Sequence, residues 1–232
     1  MEKNTTVPFD HQYYLASMIY RVLEKVDKEY AYSLHKPKKY KHFTFSYLMC
    51  KKRVVCDQGL LTLDGEVFFF FSSPDQKMVA DFVNGLFLSR ELRIGDVKGV
   101  VSEVKVMDKK EIKEKCLLGS LTPIVVRKPE NVGKRMKGVE LDPKDPEFLE
   151  RLKSNLINRF NEFYGEDAKE EDIDFRLLCE PKQKRHKIKT EYYRCYLLPR
   201  FEAIGDPRII KYGYEAGLGE KNAMGFGMVK VV

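Results

Sequence analysis

His35 is followed within six residues by Lys36, Lys38, Lys39 and Lys41. Imidazole has the unperturbed pKa nearest neutrality, so it can give or take a proton at cellular pH. Neighbouring ammonium groups disfavour the imidazolium. A bound phosphate reverses that preference and readies the ring to protonate a leaving oxygen. The same histidine also fits a plainer role, hydrogen-bonding the last carbonyls of a helix, and the lysines fit a solvated face. His42, one residue beyond Lys41, is a second candidate for proton transfer. The residue types alone leave these readings open.

A second stretch that could do chemistry runs from Gly217 to Gly227, Gly-Leu-Gly-Glu-Lys-Asn-Ala-Met-Gly-Phe-Gly. Two Gly-apolar-Gly units flank a polar tip, and a loop pinched at both ends needs positive φ angles that glycine tolerates. Amides unshielded by side chains can converge on a phosphate, with Lys221 as a charge at the rim. Gly217, Gly219, Lys221, Asn222, Gly225 and Gly227 are therefore expected to contact an anionic ligand, with an ordinary Gly-rich hairpin as the plainer reading. Seven basic residues lie between Lys182 and Arg194 against the single acid Glu191. Of these, Lys182, Lys184, Arg185, Lys187 and Lys189 form the strongest candidate for phosphate contact, with Tyr192 and Tyr193 available to stack on bases.

Elements at regular spacing must hold these groups. Leu15, Met18, Ile19, Val22 and Val26 mark an amphipathic helix from His11 to Val26 with Asp10 as its cap, and Asp27 opens a second helix that Pro37 ends. Phe43 to Val55 and Leu60 to Ser72 read as strands joined by turn residues. Met78 to Leu88 returns to helical spacing, and Val97 to Met107 reads as a strand. A second cycle starts with a strand from Leu118 to Arg127 and an irregular connection through Pro143. Asp145-Pro146-Glu147 then opens a helix, followed by a basic hairpin (Phe175 to Lys189, Tyr192 to Ala203), a short helix from Pro207 to Tyr212 and a last strand. The pattern is α+β, two ferredoxin-like cycles in tandem, with domains over residues 1–110 and 111–232. Only Glu2 to Val7, short and polar, stands where the first strand belongs, so that strand is expected to be truncated or missing. Such a seam would be exposed and would invite dimerisation.

The chain of 232 residues carries 42 Lys and Arg against 35 Asp and Glu, a formal charge of +7. The excess is clustered, which favours a groove for a polyanion such as nucleic acid. No apolar run approaches the roughly 20 residues of a membrane span, and no signal peptide opens the chain. Five cysteines without a C-x-x-C pair read as reduced thiols of a cytoplasmic protein, and four scattered histidines predict no metal site and no cofactor.

The Gly217–Gly227 loop followed by Met228 to Val232 resembles the C-terminal signature of the RAMP superfamily. More narrowly, it resembles that of the CRISPR-associated endoribonuclease, the sixth Cas protein, which cuts precursor CRISPR RNA. Val7 to Leu48 is similar to the N-terminal region of its archaeal members. The resemblance implies tandem ferredoxin-like (RAMP or RRM-like) domains and a catalytic triad at Tyr20, His35 and Lys41. It further implies CRISPR repeat RNA as partner, with Lys38 and Lys39 added to the RNA-binding set, and leaves other CRISPR effector proteins and a homodimer open. The implied chemistry is metal-independent attack of a ribose 2′-hydroxyl on the adjacent phosphorus, with Tyr20 or a water it holds taking the proton. The alternative is a non-catalytic RNA-binding subunit of the same superfamily. An unbroken helix would hold Tyr20 and His35 about 22 Å apart, at about 1.5 Å per residue. The triad therefore requires the break at Asp27.

Overall fold

The computed structural model describes residues 1–34, 40–89, 91–108, 110–132 and 135–232. The second half forms a four-stranded antiparallel sheet in the order Ile173–Leu177, Phe201–Gly205, Lys115–Ser120, Val229–Val231. The chain enters at an inner strand and returns to the far edge, which is the ferredoxin-like order. Two helices lie between its strands, Glu147–Tyr164 and Pro207–Ala216. The core is one cluster that includes Leu118, Phe148, Leu152, Phe160, Phe201 and Tyr212.

The first half repeats the plan with a reduced sheet. Thr5–Pro8 pairs antiparallel with Gly59–Thr62, which pairs in turn with Arg53–Cys56. The first strand is thus truncated to four residues rather than missing. Its core gathers Leu15, Met18, Ile19, Phe43, Phe45 and Phe82. Helices α1 (Gln12–Val26) and α2 (Lys28–Ser33) follow the first strand, and α3 (Gln76–Phe87) packs on α1. We call the helices of the second half α4 (Glu147–Tyr164) and α5 (Pro207–Ala216).

Several expectations are corrected. His11, not Asp10, precedes α1, and no side chain caps that helix. The strands expected over 43–55 and 60–72 split, with Thr44–Phe45 pairing Phe71–Ser72 beyond the Asp64-Gly65 turn. Val97 to Met107 yields a strand only at Val97–Gly99; Val106 and Met107 stand in solvent, so the alternation has no sheet face to bury. The connection before Pro143 contains a hairpin, Arg127–Val132 with Arg135–Glu140, which is polar on both faces and so carries no apolar period. The basic hairpin divides in two. Its base lies in the sheet, and its outer part is a separate ribbon, Lys182–Ile188 with Glu191–Leu197. Pro146, not Asp145, immediately precedes the Glu147–Tyr164 helix, and Asp145 Oδ1 accepts the Glu147 amide at 2.9 Å from one residue further back. All five cysteines are free. Among the described residues no helix is long and apolar enough to cross a membrane.

Candidate active site

The break at Asp27 is present. α1 ends at Val26, Asp27 turns out of helical geometry at φ −141°, and its side chain accepts the Tyr30 amide at 2.8 Å to start α2. Such a cap stabilises a helix start by about 1 kcal/mol. Tyr20, on α1, lies edge-on to Phe43 with ring centroids 5.9 Å apart. Phe43 is fully buried and Lys41, two residues earlier, is half-buried, so packing brings the Lys41 segment to the Tyr20 face of α1. His35, Lys38 and Lys39 lie outside the described residues. Burial pushes the Tyr20 phenol up to about 12, opposite to what a general base needs. At neutral pH it is a hydrogen-bond donor.

The segment carrying Lys41 is anchored across the seam between the two halves. The Tyr40 amide donates to Glu162 Oε1 on α4 at 3.3 Å. His42 Nδ1 lies 2.7 Å from the Tyr212 hydroxyl on α5, and Nε2 lies 3.6 Å from Glu162. The His42 ring packs on Phe163 at 4.8 Å. His42, the rival proton donor, thus faces the second domain, with its side chain 12% exposed.

All four glycines of the loop have positive φ, between 70° and 85°. Part of the amide set expected to cradle a phosphate is already engaged within the protein. The amides of Leu218, Glu220, Met224, Gly225 and Gly227 already donate to protein carbonyls, and the buried Asn222 donates through Nδ2 to Leu218 and Phe226 carbonyls. The loop instead closes the seam. Gln12 donates to the Gly225 carbonyl at 3.2 Å and Thr44 to the Phe226 carbonyl at 2.9 Å, both from the first half. Beneath it the guanidinium of Arg159, 2% exposed, donates to the carbonyls of Ala216, Gly217 and Gly219. Carbonyls at the α5 C-terminus carry partial negative charge, so they suit a buried cation. Arg159 was not singled out from the sequence. The available signal was an arginine on the apolar stripe of α4, between Leu156 and Phe163.

Lys221 is half-buried at the tip of the loop, its ammonium 4.8 Å from the Tyr193 ring centre, and burial, with Arg127 as a smaller cause, lowers its pKa. The ribbon presents a cationic and aromatic strip. Lys182, Lys184 and Arg185 are exposed, Arg185 stands 4.6 Å over Tyr192, Lys187 is half-buried, and Lys189 stands 4.9 Å over Tyr13 of α1. His186, between these cations, points inward against Tyr47 and Phe226.

Two histidines therefore lie where the ribbon meets the first domain. His11 is buried and neutral, its Nε2 accepting the Leu48 amide at 2.9 Å, so its Nδ1 donates to the Pro8 carbonyl. Burial lowers its pKa. Burial, with His11 as a smaller cause, takes His186 down to about 4. The unfolded chain, with histidines near 6.5, binds these protons first. Their contribution to stability is complete above about pH 6.5 and is lost as pH falls toward 4. The melting temperature should fall over that window, and His186→Phe should flatten the slope. An unchanged slope in the variant would remove His186 as its cause.

Two halves of ferredoxin-like order joined by a glycine loop constrain the family, and the sequence comparison decides it. Residues 6–105 match the family described as CRISPR-associated protein Cas6, N-terminal, and residues 106–231 match CRISPR associated protein Cas6, C-terminal. The chain belongs to the Cas6 family. It is similar to CRISPR-associated endoribonuclease Cas6 1 of Methanocaldococcus jannaschii, at 38% identity over 97% of this chain and 87% of the relative. It is also similar to the putative CRISPR-associated endoribonuclease-like protein Cas6 of Pyrococcus furiosus, at 34% identity over 100% of this chain and 95% of the relative. A solved structure described as an RAMP protein binding different RNA substrates superposes with a TM-score of 0.91 at 30% identity, covering 100% of this chain and 95% of the other. This Cas6-family chain shares its whole two-part fold with that structure.

Proposed function

We propose that this Cas6-family protein is an endoribonuclease that cuts CRISPR repeat RNA at the seam between its domains, with the domains dividing near residues 110 and 111. The observation that carries the reading is the packing of Tyr20 against Phe43, which sets the α1 phenol beside the segment bearing Lys41. The ribose 2′-hydroxyl attacks the adjacent phosphorus and the 5′-oxygen leaves. His35 protonates that oxygen, and Lys41 stabilises the charge that develops. Tyr20, held as a phenol, orients the 2′-hydroxyl or the water that takes its proton.

The RNA lies over the ribbon. Lys182, Lys184, Arg185, Lys187 and Lys189, with Lys38, Lys39 and Lys221, supply phosphate contacts, and Tyr192, 54% exposed, offers a face for a base. Gly217, Gly219, Asn222, Gly225 and Gly227 act through the shape of the loop.

The test is incubation with repeat RNA from the protein's own CRISPR locus in EDTA, with product ends mapped. Cleavage should persist, leave a 2′,3′-cyclic phosphate and a 5′-hydroxyl, and stop when the 2′-hydroxyl at the cut is replaced by hydrogen. A 5′-phosphate product or loss of cleavage in EDTA would sink the mechanism. The second reading is a non-catalytic RNA-binding subunit, favoured by the "endoribonuclease-like" name of one close relative. Tight repeat binding with no cut under any of these conditions would select it.

A further inference from the structure

α4 carries a polar stripe at Arg151, Ser154, Asn155 and Asn158, spaced i, i+3, i+4, i+7 on one face. Such a stripe normally faces water. Here it lines one side of a half-open cleft of about 180 Å³, whose other lining residues include Tyr40, next in the chain to Lys41, and Gly219 of the glycine loop. A cavity of about 150 Å³ takes up benzene, so this one has room for a planar ring.

The charged groups in the wall are already committed. Arg127 is clamped to Glu220 through both its amide and its guanidinium, and Arg151 Nε donates to Glu147 at 2.6 Å. The Ser154 hydroxyl is engaged by Glu150 and Glu170. The two amides are not. Asn155 Oδ1 is buried without a hydrogen-bond partner, and the Asn158 side chain makes no hydrogen bond among the described residues. A buried acceptor with no donor is costly, and a partner supplied by a ligand would remove that cost. Neutralised arginines do not select a phosphate. Amides, each with an acceptor and two donors, match the polar edge of a base.

We propose that this cavity reads one unstacked base of the bound RNA, close along the strand to the scissile phosphate, and that Asn155 and Asn158 determine which base is accepted. The inference rests on the endoribonuclease reading for the identity of the RNA. A small rotation of the Asn155 amide lets Oδ1 accept an N–H from the base edge, and Tyr40 supplies an aromatic wall beside it.

The experiment uses the full chain and a series of repeat RNAs in which each nucleotide flanking the cut is replaced in turn, read by both cleavage rate and affinity. The wild-type protein should penalise replacement at one flanking position by about 10-fold or more, the usual scale for paired contacts to a base edge. Asn155→Ala and Asn158→Ala should erase that penalty and leave the others in place. Asn158 is exposed, so its variant keeps the test valid should Asn155→Ala melt early. An unchanged profile in both variants, or a uniform loss at every position, would overturn the pocket. Loss of cleavage with the affinity profile intact would count against the endoribonuclease and not against the pocket.

Discussion

His35→Ala should lower the rate of repeat cleavage by about 10²-fold or more, the usual scale of a positioned general acid, with affinity for the repeat close to wild type. The expectation follows from the chemistry of the leaving group. A 5′-alkoxide departs slowly unless it is protonated as the bond breaks, and the imidazole at position 35 is the group assigned to that task. His42→Ala should behave differently. His42 holds its segment to α5 and α4 through Tyr212 and Glu162, so its loss should lower the melting temperature and raise KM more than it lowers kcat. Single-turnover rates with saturating enzyme separate the two. Equal defects in chemistry, or a larger one at His42, would move the acid role to His42.

What the sequence conveyed about this site follows from what kind of interaction holds each part. The helix break was legible because Asp27 caps through a local bond to Tyr30, and the positive φ of four glycines was legible because backbone sterics act within a residue or two. The partners of the loop amides were not legible. For Glu220, Gly227 and Leu218 they are the carbonyls of Val125, Pro123 and Gly227, contacts that no local pattern specifies; only Met224 and Gly225 bond within a turn, to Lys221 and Asn222. Arg159 stood on an apolar stripe, a local oddity, but its three carbonyl partners lie more than fifty residues away. The hairpin over residues 127–140 escaped notice because a ribbon solvated on both faces has no hydrophobic period. The strand over 97–107 was overextended for the converse reason, since alternating residues there meet no sheet. Tyr20 could take a proton itself only if a neighbouring cation drew its phenol down. Burial governs instead and drives it the other way.

Gly225→Val should break the seam. The residue sits at φ 82°, where a β-branched side chain is strained by about 1–3 kcal/mol before any contact is considered. A Cβ placed there would meet Gln12 Nε2 at 2.5 Å and Phe45 at 2.8 Å, one a side chain that can move, the other a fully buried ring of the first core. Gln12 is also the donor to the Gly225 carbonyl, so moving it removes the bond that ties α1 to the loop. Lys221→Ala removes one charge at the loop surface and none of these contacts. The valine variant should therefore lose several degrees of melting temperature and most of its RNA cleavage, because Tyr20 on α1 and Lys41 depend on that seam for their places. The alanine variant should keep its melting temperature, lose a small part of its RNA affinity and show a shallower dependence of affinity on salt. Hydrogen exchange at Gly225 and Gly227, whose amides donate to the Asn222 and Pro123 carbonyls, reports opening of the loop that carries the seam contacts. A Gly225→Val protein with wild-type exchange, melting and cleavage would show that the loop does not hold the two domains in register.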